Sequence, residues 1–390
     1  MKPELLSPAG NLEKLKIACL YGADAIYIGG QNFGLRSGAD NFSFEEIEEG
    51  SSFCKKFKVK LYVVLNAFLH NKDLIGIADY VKFLEKVGVD ALIVSDLGVI
   101  TNIKKNCSIA IHLSTQASCL NSSSASVWKD LGVQRIITGR ELSVAEGGKI
   151  KRETGLEVEM FIHGAMCSAY SGHCSISNYT AGRDSNRGGC KQSCRFDYKL
   201  DNSSETTSLM SSKDLNGVRT LDAFIEEGID SVKVEGRMKS NLYVAASCKG
   251  YRNMIDAHDN LNNEIQLESA QKQALADLEL YPNRGYTEAS LVSPAGEDSI
   301  IKHSNLKHNK FTYAGTIFST AAKKAWIQLR NPVKKGDTIQ IISLEGKNID
   351  IELNTFKNFK GQTIERARQD QVISISTDEV VRAGMVLCKV

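Results

Sequence analysis

A short phrase, repeated along the chain, limits what this sequence can fold into more than any other feature. Gly22-Ala23-Asp24-Ala25-Ile26-Tyr27-Ile28 returns as Gly88-Val89-Asp90-Ala91-Leu92-Ile93-Val94 and again as Gly228-Ile229-Asp230-Ser231-Val232-Lys233-Val234. A degenerate copy reads Gly132-Val133-Gln134-Arg135-Ile136-Ile137. Each glycine follows a helical pattern, where a left-handed C-cap suits a residue without a Cβ. The apolar, β-branched run behind it has the composition of a parallel strand buried on both faces.

Helices fit between these strands. Asn11 can cap a helix running through Cys19, and Ser43 with Glu46 makes a capping box ahead of Ile47 and Phe53. The stretch Asp73 to Val87 carries Ile77, Val81 and Leu84 at helical spacing. Further strands are expected at Val59–Leu65, Ile109–Leu113 and Leu156–Ile162. About eight strand–helix units result, which predicts an α/β fold: a (β/α)8 TIM-like barrel over residues 1–285. A doubly wound sheet would favour a glycine-rich nucleotide turn, and Ser7-Pro8-Ala9-Gly10-Asn11 is not one. In such barrels the chemistry gathers at the C-terminal strand ends, where Asn66, Asp96, His112 to Gln116, Arg140, Glu141, His163, Glu235 and Arg237 fall. Strand ends reach water, so the series carries the argument and no single member does.

After a helical stretch at about Asn241–Leu280 the period changes to two. Runs such as Tyr313-Ala314-Gly315-Thr316-Ile317 and Thr338-Ile339-Gln340-Ile341-Ile342 alternate, with Asn331-Pro332 and Lys335-Gly336-Asp337 as turns. A small antiparallel β-barrel is expected at 305–390. Lys302, Lys307, Lys310, Lys323, Lys324, Lys334 and Lys335 make it locally basic; a solvated surface explains this, and RNA contact is the alternative.

The net charge of +2 neither demands nor excludes a nucleic-acid partner. No stretch has the roughly 18 apolar residues of a membrane span, and the start lacks a secretory pattern, so a cytoplasmic protein with reduced thiols is expected. Six of the ten cysteines lie singly (Cys19, Cys54, Cys107, Cys119, Cys248 and Cys388) and read as small core residues. Cys167, Cys174, Cys190 and Cys194 fall within one segment, residues 164–195, and need another explanation. Gly164, Gly172, Gly182, Gly188 and Gly189 let that loop wrap closely enough to aim four sulfurs at one point. Three readings compete. Structural zinc prefers tight pairs, and only Cys190 and Cys194 come close; a [4Fe–4S] cluster accepts irregular spacing; the thiols could also stay free. Arg183, Arg187, Lys191, Arg195, Lys233, Arg237 and Lys239 crowd nearby, either solvated or placed to lower thiolate pKa values and hold anions.

These residues carry a resemblance. Leu6-Ser7-Pro8-Ala9-Gly10, Phe33-Gly34-Leu35-Arg36, Ser114-Thr115-Gln116, Phe161-Ile162-His163-Gly164-Ala165-Met166-Cys167, Ser171-Gly172-His173-Cys174, Ser211-Ser212-Lys213-Asp214-Leu215 and Lys233-Val234-Glu235-Gly236-Arg237 resemble the U-thirty-two family of collagenase-like peptidases. The glycine–cysteine stretch is its specific signature, and the likeness spans nearly the whole chain. The layout with a C-terminal barrel most resembles the family's transfer-RNA hydroxylation proteins. What the resemblance implies is an oxygen-independent hydroxylase making 5-hydroxyuridine at a transfer-RNA wobble position, with prephenate as hydroxyl donor. It also implies a [4Fe–4S] cluster held by Cys167, Cys174, Cys190 and Cys194. Arg36, Arg140 and Arg237 are the expected carboxylate-gripping residues, because guanidinium groups bind carboxylates bidentately. Asp96 and Glu235 are the expected acid–base groups. The family name keeps a peptidase as the alternative: no His-Glu-x-x-His helix or Gly-x-Ser-x-Gly elbow occurs, which leaves only His163 or His173 beside Cys167 or Cys174.

Overall fold

The computed structural model describes residues 2–31, 33–34, 40–199, 206–259, 264–301 and 311–390. Eight parallel strands close into a barrel: β1 (Glu4–Pro8), β2 (Ala25–Gly29), β3 (Lys60–Leu65), β4 (Ala91–Val94), β5 (Ala110–Leu113), β6 (Arg135–Ile137), β7 (Glu157–Ala165) and a closing strand, Ser231–Glu235. The closing strand pairs in parallel with β7 on one side and β1 on the other, as a TIM-like barrel requires.

The repeated phrase does two jobs at each turn. Gly22, Gly88, Gly132 and Gly228 hold φ of 90°, 80°, 84° and 69°, the left-handed region that a side chain would oppose. The polar residue two places on then accepts a backbone N–H from the preceding strand. Asp24 takes Leu5 N at 2.8 Å, Asp90 takes Leu61 N at 2.8 Å, and Asp230 takes Val158 N at 2.9 Å. In the degenerate copy the Gln134 amide oxygen takes Ile111 N at 2.7 Å. This strand-start lock is the reason for the aspartates, and the sequence pattern alone does not disclose it.

Around the strands lie α1 (Leu12–Leu20), α2 (Phe44–Phe57), α3 (Ile77–Val87), α4 (Leu97–Asn106), α5 (Ser122–Asp130) and α6 (Val144–Thr154). Asn11 caps α1 through Lys14 N at 3.0 Å, and the Ser43–Glu46 capping box starts α2, both as expected. The third helix begins at Ile77 rather than Asp73, because Gly76 at φ 84° separates it from a 3-10 turn at Asn71–Leu74. Beyond β7 come α7 (Ile176–Ala181) and α8 (Leu221–Glu226); after the closing strand, α9 (Asn241–Asp259) and α10 (Glu264–Leu278) pack on each other.

Four charged side chains meet inside the barrel near the strand starts. Arg135 bonds Glu4 at 2.7 Å and Glu159 at 3.2 Å, and Lys233 bonds Glu159 at 2.8 Å. Burial pushes the Glu4 carboxyl up, but the charge and hydrogen bond of Arg135 more than offset this and leave it below its ordinary value. His112 lies in the same layer, edge-on to Tyr62; burial first, and then Arg135, drive its pKa well down. Two expectations are corrected here. Lys233 and His112 project into the barrel and belong to this inner layer, not to the mouth.

Residues 312–389 form a separate eight-stranded antiparallel sheet, ordered 349–352, 338–341, 386–389, 312–321, 324–329, 372–376, 356–358 and 363–364, curled into a half-barrel. It docks on the helices. The Tyr21 hydroxyl donates to Ile342 O at 2.7 Å and accepts Val386 N at 3.0 Å, Asn348 donates to Asp277 at 3.0 Å, and Arg330 pairs with Glu13 at 3.4 Å. Among the described residues no helix is long and apolar enough to cross a membrane.

Candidate active site at the barrel mouth

A bulge in β7 creates the mouth. Lys233 stands opposite Phe161 but Val234 opposite His163, so Ile162 is the extra residue. Its carbonyl is taken up by Gly217 N at 2.8 Å and the Tyr251 hydroxyl at 3.2 Å. Bulges bend the strand that carries them. Here the end of β7 keeps the closing strand on one side but exchanges β6 for Asp214–Asn216, paired antiparallel, on the other, and runs on to Met166 and Cys167. Gly164, at φ 105°, allows the close approach: a side chain there would run into the Glu235 carbonyl.

The cysteine segment then lies strapped across the strand ends. Arg187 pairs with Asp73 at 2.7 Å and donates to Phe68 O. His173 Nε2 meets Gln116 O at 2.6 Å, and Glu141 accepts Ser171 N at 2.5 Å. Within the segment, Cys174 and Asn186 exchange bonds at 3.3 and 3.1 Å, and the Ser177 hydroxyl reaches Ser193 at 3.3 Å and Lys191 N at 3.2 Å. Arg195 donates to Met166 O at 2.8 Å, which sets Cys194 beside Cys167. The loop's own hydrogen bonds thus bring Cys174 and Cys194 within electrostatic range of Cys167.

These thiols differ from the others. Cys19, Cys54, Cys119, Cys248 and Cys388 are buried and Cys107 half-buried, whereas Cys167 and Cys190 are exposed and Cys174 and Cys194 half-buried. Burial of its sulfur pushes the Cys167 thiol up, the Ala169 backbone and Arg140 pull it down, and Cys194 and Cys174 push it up again. Among the described residues no three His, Cys, Asp or Glu side chains form a closed metal-sized group. In chemistry alone the four thiols are soft donors, polarisable sulfurs outside the core on glycine-rich loops. Cys190 Sγ accepts Gln192 N at 3.4 Å.

The expected site residues divide. Arg140 sits with its guanidinium 3.8 Å from the centre of the Phe161 ring and lines a small cavity with Thr138, Met166 and Leu215. It acts on Cys167 through space, so those two are brought together. Glu235 accepts the Tyr27 hydroxyl at 3.2 Å, and a side chain at Gly29 would overlap the buried Arg237 guanidinium. Asp96 spends an oxygen on Val99 N at 2.9 Å as the N-cap of α4, which gives an acid–base role no support. Arg36 lies outside the described residues, as do Lys302, Lys307 and Lys310. Sequence reading missed Arg284, which pairs with buried Asp214 at 3.7 Å. Burial lowers the pKa of Lys239, Asp214 pulls it back, Arg284 and Arg195 lower it further, and Glu235 raises it, the mark of three cations around two carboxylates. No spacing rule links positions 70 residues apart.

The histidines do not serve the thiols. His163 is buried between Tyr281, 2.8 Å from Nε2, and Tyr251, 3.2 Å from Nδ1. Burial, with Lys239 beside it, lowers its pKa to about 3. A cysteine nucleophile needs a histidine within reach. Both ring nitrogens of His163 are committed elsewhere, and Nε2 of His173 goes to Gln116 and Ser118.

The model of "Peptidase family U32" matches residues 10–300, and that of "Peptidase family U32 C-terminal domain" matches 309–387. The chain is 40% identical to "tRNA hydroxylation protein P1" of Bacillus subtilis (strain 168), covering 100% of this chain and 95% of that one. It is 40% identical to "23S rRNA 5-hydroxycytidine C2501 synthase" of Escherichia coli (strain K12), over 65% of this chain and 39% of the other. It is 25% identical to "Collagenase" of Porphyromonas gingivalis (strain ATCC BAA-308 / W83), over 97% and 95%. With both models matched in sequence and a relative 40% identical over the whole of this chain, the protein belongs to peptidase family U32.

Proposed function

We propose that this protein is an RNA hydroxylase, and more finely that it converts a transfer-RNA uridine to 5-hydroxyuridine in the cytoplasm. The observation that carries the reading is the cysteine segment strapped over the barrel mouth, with Arg140 beside Cys167. The names of the Bacillus subtilis and Escherichia coli relatives support the substrate class. Cys167, Cys174, Cys190 and Cys194 would hold a [4Fe–4S] cluster, which supplies a redox-active or Lewis-acidic iron when bound. A carboxylate donor such as prephenate is the expected oxygen source.

The chain's own residues do the remaining work. Arg140, held over the Phe161 ring, presents its guanidinium fork to a carboxylate. Arg195, Lys239 and Arg284 add positive potential that draws anions to the mouth. Glu235, holding the Tyr27 hydroxyl, is placed to accept or return a proton near the strand end. A peptidase has no comparable support, because neither histidine addresses a thiol.

Anaerobically purified protein is expected to be brown, with about four iron and four sulfide per chain. A colourless protein holding one zinc overturns the cluster. Nucleoside mass spectrometry of transfer RNA from a strain lacking the chain should show 5-hydroxyuridine lost; an unchanged level overturns the finer reading.

A further inference from the structure

The half-barrel carries a cavity that the mouth chemistry does not use. Pro332, Val333, Lys334, Asp337, Arg366, Ala367, Arg368, Gln371 and Lys389 line it, four cations against one carboxylate. That carboxylate is already engaged: Asp337 accepts Lys334 N at 2.9 Å and lies 3.6 Å from the Lys389 ammonium. Lys334 stands directly opposite Arg366 in an antiparallel pair. Like charges opposite one another destabilise a sheet, so this pairing costs the fold something it does not recover by itself. Arg368, just past the end of that strand, lines the same cavity. Lys334, Arg366 and Arg368 are exposed and carry no ion pair among the described residues, whereas neighbouring Lys335 pairs with Glu365.

Position matters as much as charge. Arg330 bonds Asp370 and also Glu13, in the first turn of α1 just past the mouth-side end of β1. Lys334 follows Arg330 by four residues, roughly 13 Å of extended chain. Gln371 follows Asp370 directly. The cavity lining is thus joined within a few residues to Arg330, whose contact with Glu13 ties this part of the half-barrel to the first turn of α1.

We infer that this groove binds the sugar–phosphate backbone of the RNA whose base enters the barrel mouth. The inference rests on the proposed RNA-directed function and adds where the strand lies. Guanidinium and ammonium groups without acidic partners suit phosphodiesters, and contacts of this kind hold a strand without reading its sequence.

The test uses the full chain with its cluster, bulk transfer RNA as probe, and fluorescence anisotropy between about 50 and 300 mM salt. The triple variant K334E/R366E/R368E should bind at least about 10-fold more weakly, and the slope of log affinity against log salt should fall by about 2. Iron content and melting temperature should be unchanged, and 5-hydroxyuridine in complemented cells should drop. K324E, outside the cavity lining, should behave as wild type. If wild type binds transfer RNA and the triple variant matches it in affinity and slope, the groove inference fails while the enzyme reading stands. If wild type binds no transfer RNA, the enzyme reading fails and the groove loses its ligand. Equal binding of poly-glutamate and RNA at the groove overturns RNA as its partner.

Discussion

The two ends of this barrel handle charge in opposite ways. Near the strand starts, Glu4, Arg135, Glu159 and Lys233 are almost wholly buried and balance one another at 2.7 to 3.2 Å. At the mouth, Arg140, Arg195, Lys239 and Arg284 outnumber the carboxylates, and four thiols lie at or near the surface. A closed network in low dielectric serves architecture, since removing one partner strands the others. An incompletely balanced cluster in reach of solvent is where a ligand can complete the set. The lower layer should therefore respond to mutation in stability, and the upper one in activity.

The largest expected effect breaks the lower layer. Glu159→Ala leaves Lys233 and part of Arg135 without their carboxylate, and should cost about 3–5 kcal/mol in denaturant unfolding. A loss below about 1 kcal/mol would mean that water or a rearranged Glu4 compensates, and that the layer is not closed. Next comes the mouth. Cys190→Ala should lower 5-hydroxyuridine formation at least about 100-fold, about 2.7 kcal/mol of barrier, while the melting temperature of the metal-free protein stays within a few degrees. Retained activity with full iron content would remove Cys190 from the ligand set.

A third prediction concerns His163, which lies between the two layers in character: buried like the first, and adjacent to the mouth like the second. Its folded pKa of about 3 lies below the ordinary histidine value, so the unfolded chain binds the proton first. Stability should fall as pH drops from about 6.5 towards 3, by at most about 1.4 kcal/mol per unit from this group. His163→Asn should show a correspondingly shallower fall over that window. Parallel pH profiles for the two proteins would instead mean that His163 gains a proton in the folded state.

Much of this layout was legible because it is local. The repeated glycine phrase, the Asn11 cap and the Ser43–Glu46 box each act within a few residues, so sequence spacing carries their geometry. Barrel closure was legible from the count of units. The direction of a side chain at a strand end was not. Lys233 and Glu235 are two residues apart, yet Lys233 bonds Glu159 in the interior and Glu235 holds Tyr27 at the mouth. Asp96 looked chemical because it follows a strand, but the same position also begins a helix, and capping claimed it. The Asp214–Arg284 pair and the Ile162 bulge depend on contacts between distant segments, to which periodicity is blind.

The smallest effect sharpens the comparison by asking whether the lower end needs charge everywhere or only hydrogen bonding. Asp90 and Gln134 occupy equivalent places in two copies of the phrase, and each accepts the N–H of a neighbouring strand, Leu61 at 2.8 Å and Ile111 at 2.7 Å. Only one of them is charged, so an acceptor oxygen is the feature the two turns share. Asp90→Ala orphans the N–H of buried Leu61 and should cost about 1 kcal/mol. Asp90→Asn, which keeps an oxygen in reach, should stay within about 0.5 kcal/mol of wild type in the same urea titration. If Asn costs as much as Ala, the lock is electrostatic. The degenerate copy would then be a weaker turn, held by the neighbouring Arg135 network rather than by its own side chain.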